Sequence, residues 1–276
     1  MKKGILVYDR NDAEYNKWFI ERIITEGAKE GLDIKLMLTE ELSRLCGLQS
    51  KSLLDECDFA IMRNRNFRMS EILEGKNIHC FNSSYVCRIG NDKWEMYRDF
   101  NSAGIPVMYT QTSRLPFPFV MKPRDGHGGR NVFLVSNKDE YEKVLGQING
   151  DEDKYIYQFA ASERGRDIRV YVCGDTILTA MERVAGGEGE FRANFSLGGT
   201  AKEHALTDEE LKLAAKAADH IKADFVGIDI IYNNGNPVIN EVEDAVGTRM
   251  LYSETDLDAV RIYIEWIAEC VGKELQ

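Results

Sequence analysis

The sequence predicts an α/β (α+β) chain in which a small N-terminal α/β unit precedes a hairpin-rich remainder. Three observations predict it. Short apolar runs alternate with helical segments through the first third of the chain, the texture of a parallel sheet. From Phe119 onward the pattern turns to hairpins closed by glycine and asparagine. The 276 residues, 43% hydrophobic and 29% charged, suffice for about two domains or one fold with sub-domains, too apolar and aromatic for a disordered chain.

The elements follow in order. Residues 5–8 form a first strand, 14–29 a helix stopped by Gly31, and 34–38, 59–62 and 78–81 three more strands. A parallel sheet places ligands beyond the carboxyl ends of its strands, where Arg10, Arg63 and Arg65 stand. Asn91 is expected to cap a helix over 92–102 that ends at Gly104. Residues 119–122 and 132–135 pair as a hairpin, 139–148 form a helix and 155–159 a strand. A further hairpin joins 167–172 to 176–183 through Cys173-Gly174-Asp175. Thr207 and Glu210 have capping-box spacing before a helix. A last hairpin, 225–232 with 237–242, sets Asp229 to face Glu241, and a helix over 256–271 closes the chain.

Composition narrows the function. Forty-six acidic against 35 basic residues give a net charge of -11. That balance disfavours coating of nucleic acid, which needs clustered Lys and Arg, but leaves room for an anion in a local basic pocket. No apolar run is long enough to span a membrane, and the start of the chain reads as a strand rather than a signal peptide; a cytoplasmic protein is expected. The six cysteines lack C-x-x-C spacing, as scattered reduced thiols do.

Two clusters carry chemistry. In the first, Lys122 at a strand end precedes Gly126, His127, Gly128 and Gly129. Bare glycine backbone approaches phosphates closely and offers N–H donors, and the lysine adds a point charge; the same glycines also suit a plain hairpin turn. In the second, Asp229, Glu241 and Glu243 stand on two apolar strands. Buried carboxylates need counter-charge, which Mg²⁺ with oxygen ligands would supply; an edge hairpin with its acids in water is the alternative. Arg169, Arg183 and Arg192 recur between them, suited to bidentate contact with phosphate or carboxylate, or to salt bridges with nearby acids.

Taken in order, Asn91-Asp92-Lys93, Lys122-Pro123 with the glycine loop, Asp167-Ile168-Arg169, Glu182-Arg183, Phe191-Arg192-Ala193-Asn194 with Gly198-Gly199, Gly227-Ile228-Asp229 and Glu241-Val242-Glu243 resemble the ATP-grasp superfamily. The likeness, over about residues 80–250, is to its ribosomal-protein glutamate ligases and related amino-acid ligases. The resemblance implies an ATP-grasp fold with an α/β pre-domain over residues 1–88 and two sub-domains gripping ATP, a small one over 89–156 with the glycine loop and a C-terminal one over 157–276 with the metal site. It implies ATP and Mg²⁺ as cofactors. Lys93, Lys122 and Gly126, His127, Gly128 and Gly129 would hold phosphates, with Gln158, Phe159 and Ala160 at the adenine. Asp229, Glu241 and Glu243 would hold metal, and Arg169, Arg183, Arg192 and Asn194 would handle the transferred phosphoryl group. The implied activity is ADP-forming ligation of a small-molecule or peptide carboxylate to an amine such as an amino acid, in a homodimer or homotetramer, with neither nucleic acid nor membrane as partner. Glu243 departs from the family's usual Asn, and Asp244-Ala245-Val246-Gly247-Thr248-Arg249 replaces its Pro-Gly segment. Arg249, with Arg63 and Arg65, is therefore a candidate substrate contact; a helix-edge salt bridge is the other reading of Arg249. An ATP-grasp kinase of a small hydroxyl substrate and a non-catalytic nucleotide-binding module remain as alternatives.

Overall fold

The structure, a computed structural model, describes residues 1–47, 53–126, 128–187, 191–193 and 198–273. His127 and Asn194 of the expected site lie outside the described residues. The elements run β1 (Lys2–Tyr8), α1 (Arg10–Tyr15), α2 (Lys17–Lys29), β2 (Leu32–Leu38), α3 (Thr39–Cys46), β3 (Phe59–Met62), α4 (Phe67–Glu74), β4 (His79–Phe81), α5 (Ser84–Asn91) and α6 (Lys93–Ser102). There follow β5 (Thr110–Gln111), β6 (Phe119–Pro123), β7 (Phe133–Val135), α7 (Lys138–Gln147), β8 (Tyr155–Phe159), β9 (Arg166–Cys173), β10 (Thr176–Val184), β11 (Thr200–Glu203), α8 (Asp208–Ile221), β12 (Phe225–Asn233), β13 (Asn236–Glu243), α9 (Arg249–Glu254) and α10 (Ala259–Lys273).

Three sheets result. The N-terminal sheet is parallel in the order β2-β1-β3-β4; a small sheet runs β5-β8-β6-β7 and a large one β11-β10-β9-β12-β13, their ladders antiparallel. No described helix is long and apolar enough to cross a membrane.

Two local expectations change. The helix foreseen over 14–29 is broken at Asn16, whose backbone N–H and side-chain Nδ2 both donate to Asp12 O at 3.0 and 2.8 Å. An Asn side chain that competes for a backbone carbonyl ends a helix in this way. The cap of α6 is Asp92, not Asn91: Asp92 Oδ1 accepts from Trp94 N at 2.9 Å and Glu95 N at 3.1 Å, while Asn91 belongs to α5 and donates to Cys87 O at 2.7 Å.

Packing joins the units. One face of the large sheet, through Ile168, Val170, Val226 and Ile228, packs on α5, α6 and α8. The other face, through Tyr171, Met181 and Phe225, shares a core with α10 and the N-terminal sheet. The small sheet and α7 have a separate core. The boundary drawn at 156/157 falls inside β8, whose ladder with β6 runs from Tyr155 to Phe159. Likewise α6, expected within the smaller unit, packs on the large sheet as well as on Ile156 of β8.

Candidate active site

Strand alternation builds the site. On β9, Ile168, Val170 and Val172 face one core, so Asp167, Arg169 and Tyr171 share the opposite face. That face is apolar toward α10 and ionic at its other end. There Arg169 stands directly opposite Asp229, and Arg183 opposite Asp167. Arg169 donates from Nε and Nη2 to the two oxygens of Asp229, each at 2.7 Å, and from Nη1 to Glu243 Oε2 at 2.7 Å. Arg183 holds both oxygens of Asp167 at 2.7 Å and reaches Asp229 Oδ2 at 2.7 Å. Gly227 makes room for this: a Cβ there would lie 2.7 Å from Val246 Cγ2 and 3.4 Å from Arg169 Cδ.

Burial raises a carboxylate's pKa and cationic partners lower it. Burial pushes Asp229 upward, but Arg169 and Arg183 overcome it and hold Asp229 at about 2. Asp167, with Arg183 as its bidentate partner, is driven up by burial to about 6.

Lysines and glycines face this sheet from the small sheet and α6. Lys93 Nζ pairs with Glu241 Oε1 at 2.8 Å and donates to Gly126 O. Arg192 Nη1 donates to Gly129 O at 2.9 Å, so the glycine loop is held from both sides. Gly128 and Gly129 have φ of 67° and 71°, a region glycine enters without strain. Lys122 Nζ donates to Tyr97 OH at 2.8 Å and to Asn240 Oδ1 at 3.3 Å. Burial lowers Lys122 to about 7, with Glu241 opposing and Lys93 adding to the effect.

Together these residues line one cleft: Lys93, Lys122, Gly126, Gly128, Gly129, Gln158, Arg169, Arg183, Arg192, Asp229, Glu241 and Glu243, with Val120, Val132 and Ile231 as an apolar part. Phe159 and Ala160 are not among its lining residues. Phe159 is 41% exposed and rests on Tyr109, ring centroids 5.4 Å apart.

A second cleft of about 630 Å³ meets the first at Gly128, Arg169, Arg183 and Glu243. Its outer wall carries Tyr15, Trp18, Arg63, Arg65 and Arg249. Arg63 is buried and donates to Tyr8 OH at 3.3 Å and to Ala245 O and Val246 O at 3.2 and 2.8 Å, so it chiefly ties down the 245–246 turn. Arg65 is exposed. Arg249 lies over the Tyr15 ring at 3.5 Å and donates to Tyr15 O at 2.8 Å; this contact replaces the helix-edge salt bridge.

Among the described residues no three His, Cys, Asp or Glu side chains converge as metal ligands, and both Asp229 oxygens accept from arginines. Glu241 and Glu243 share a strand face and each engages a cation through one oxygen. Mg²⁺ is commonly held by one or two carboxylates together with substrate phosphates, so these two residues fit that ion. The lysines, glycine backbone and apolar pocket likewise fit a nucleoside triphosphate.

Sequence reading quoted Asp167 within a motif without giving it a role, and missed Tyr97 and Asn240. Tyr97 carried one signal, its place four residues after Lys93 on a helix. Asn240 sits in a β-bulge, where register passes from Asp229–Glu241 to Ile230–Ile239, a feature with no composition cue here.

A family model described as a RimK-like ATP-grasp domain matches residues 89–267. An uncharacterized protein of Mycoplasma genitalium is 28% identical over 283 residues, spanning all of this chain and 96% of that protein. A probable alpha-L-glutamate ligase of Haemophilus influenzae is 29% identical over 206 residues, 70% of this chain and 68% of the relative. The solved D-alanine–D-alanine ligase of Bacillus anthracis superposes with a TM-score of 0.74 over the whole of both chains at 16% identity, a likeness of fold.

Proposed function

The chain belongs to the RimK-like ATP-grasp family, and on that premise we propose that it is an ADP-forming ligase that joins a carboxylate to an amine. The observation that carries this reading is the meeting of two clefts at Arg169 and Arg183: a phosphate-sized cradle on one side and an arginine-lined acceptor space on the other.

In this reading Lys93, Lys122 and the backbone of Gly126, Gly128 and Gly129 hold the triphosphate, and Val120, Val132, Gln158 and Ile231 enclose the base. A carboxylate oxygen of the acceptor attacks the γ-phosphorus from the second cleft as the bond to the β-phosphate oxygen breaks. ADP leaves and an acyl-phosphate remains. The amine then attacks the carbonyl carbon, phosphate departs, and the nitrogen sheds its proton to give an amide. Arg169 and Arg183 sit where charge develops in both steps, and such transfers depend on positioning and charge neutralisation more than on a protein nucleophile. Glu241 and Glu243 would hold Mg²⁺, which supplies further neutralisation of the phosphates when bound. Arg65 and Arg249 stand toward the outer end of the acceptor cleft, where they would meet an anionic acceptor group.

A ligase suits this wall better than a kinase of a hydroxyl. A hydroxyl acceptor needs a base beside the transferred phosphoryl group, and the two carboxylates nearest the arginines, Asp167 and Asp229, are both held bidentately by them. The protein incubated with ATP, Mg²⁺, mixed amino acids and hydroxylamine should release ADP and phosphate and accumulate hydroxamate. AMP with pyrophosphate, or a stable phosphate ester, would contradict the reading.

A further inference from the structure

We propose that Tyr97, which lies outside the lining of the nucleotide cleft, is the positioning residue that aims Lys122 at the nucleotide phosphates; this rests on the nucleotide-site reading above. Three of the site's cations have carboxylate partners: Lys93 has Glu241, and Arg169 and Arg183 share Asp229. Lys122 differs. It is 4% exposed, and the hydrogen bonds of its Nζ go to two neutral oxygens, Tyr97 OH at 2.8 Å and Asn240 Oδ1 at 3.3 Å. Glu241 acts on it only through the field. A buried ammonium with neutral partners is oriented but not neutralised, which suits a cation whose counter-ion is a ligand phosphate.

The hydroxyl's direction is itself determined. Tyr97 OH donates to Asn240 O at 2.5 Å, so toward Lys122 it can only accept. That carbonyl is available because Asn240 is the extra residue of the bulge in β13, skipped by the β12 register. Gln158 also stands beside the same hydroxyl. Tyr97 is 3% exposed and packed among Met96, Phe100 and Ile156, so its ring has little freedom. Lys93 and Tyr97, four residues apart, share one face of α6. That single helix face therefore supplies one phosphate cation and sets the direction of another.

The test is titration of ADP with Mg²⁺ by calorimetry into wild type, Tyr97→Phe, Lys122→Met and the double variant, with thermal melts to establish folding. Loss of a hydrogen bond to a charged group predicts roughly tenfold weaker binding for Tyr97→Phe. It also predicts no further loss when that change is added to Lys122→Met, since the tyrosine acts through the lysine. Tyr97→Leu, which keeps an apolar group at the position, carries the same prediction should the phenylalanine variant not fold. Affinity within twofold of wild type, or an undiminished effect in the Lys122→Met background, would overturn the inference alone. Wild type that binds no nucleotide would overturn the nucleotide-site reading and this inference with it.

Discussion

At the scale of single residues, the site is a set of charges that satisfy one another until a polyanion arrives. Asp229 shows how a partner distant in sequence escapes a local pattern. From sequence it reads as a metal ligand, but Arg169 reaches it across 60 positions of chain at 2.7 Å, and no local pattern announces a partner so far away. Arg169 and Arg183 were legible because both stand on the strands of one predicted hairpin, here β9 and β10. Lys122 yields a prediction with a definite sign. Its ammonium titrates at about 7 without ligand, and neighbouring phosphates favour the charged form. Below about pH 7 the charge is already present. Above it, binding must take up a proton, so affinity for Mg²⁺–ADP should fall as pH rises from 7 toward 9, by at most about tenfold per unit. Calorimetry in buffers of different ionisation enthalpy should record the uptake, and Lys122→Met should abolish it. An affinity that stays flat over that range contradicts the assignment.

At the scale of elements, hairpins were legible and short helices were not. The strands of the last hairpin fall close to their expected bounds, and Asp229 faces Glu241 as the alternation requires. The capping box at Thr207 forms with both reciprocal bonds. By contrast α3, α4 and α5 span eight residues each, too few turns for a clear period, and the break at Asn16 depends on a side chain capturing a carbonyl. That break has a consequence, since it presents Tyr15 under Arg249 at the acceptor cleft. Gly227 is the element-scale weak point. Gly227→Ala would press a methyl against Val246 and crowd Arg169. Overpacking of this kind costs about 1–3 kcal/mol, so urea denaturation should show that loss together with impaired ligation. Wild-type stability and activity in this variant would show that Arg169 does not need the glycine.

At the scale of the whole molecule, the -11 net charge conceals a paired interior: the carboxylates Asp167, Asp229, Glu241 and Glu243 each meet a cation among Lys93, Arg169 and Arg183. The N-terminal sheet and the large sheet share one core, which seats the acceptor cleft against the arginines, while the small sheet brings Lys122 and the glycine loop to the other side. This division into a body and a facing sheet was only partly visible from sequence, because α6 and β8 cross the expected boundary through contacts rather than through composition. The proposed ligation turns on one chemical event, passage of an oxygen from the acceptor carboxylate to phosphate. Turnover of ATP with an ¹⁸O-carboxylate-labelled amino-acid mixture, followed by mass spectrometry of the released phosphate, tests it most directly. The account predicts one ¹⁸O atom per phosphate formed; unlabelled phosphate accompanying product would contradict it.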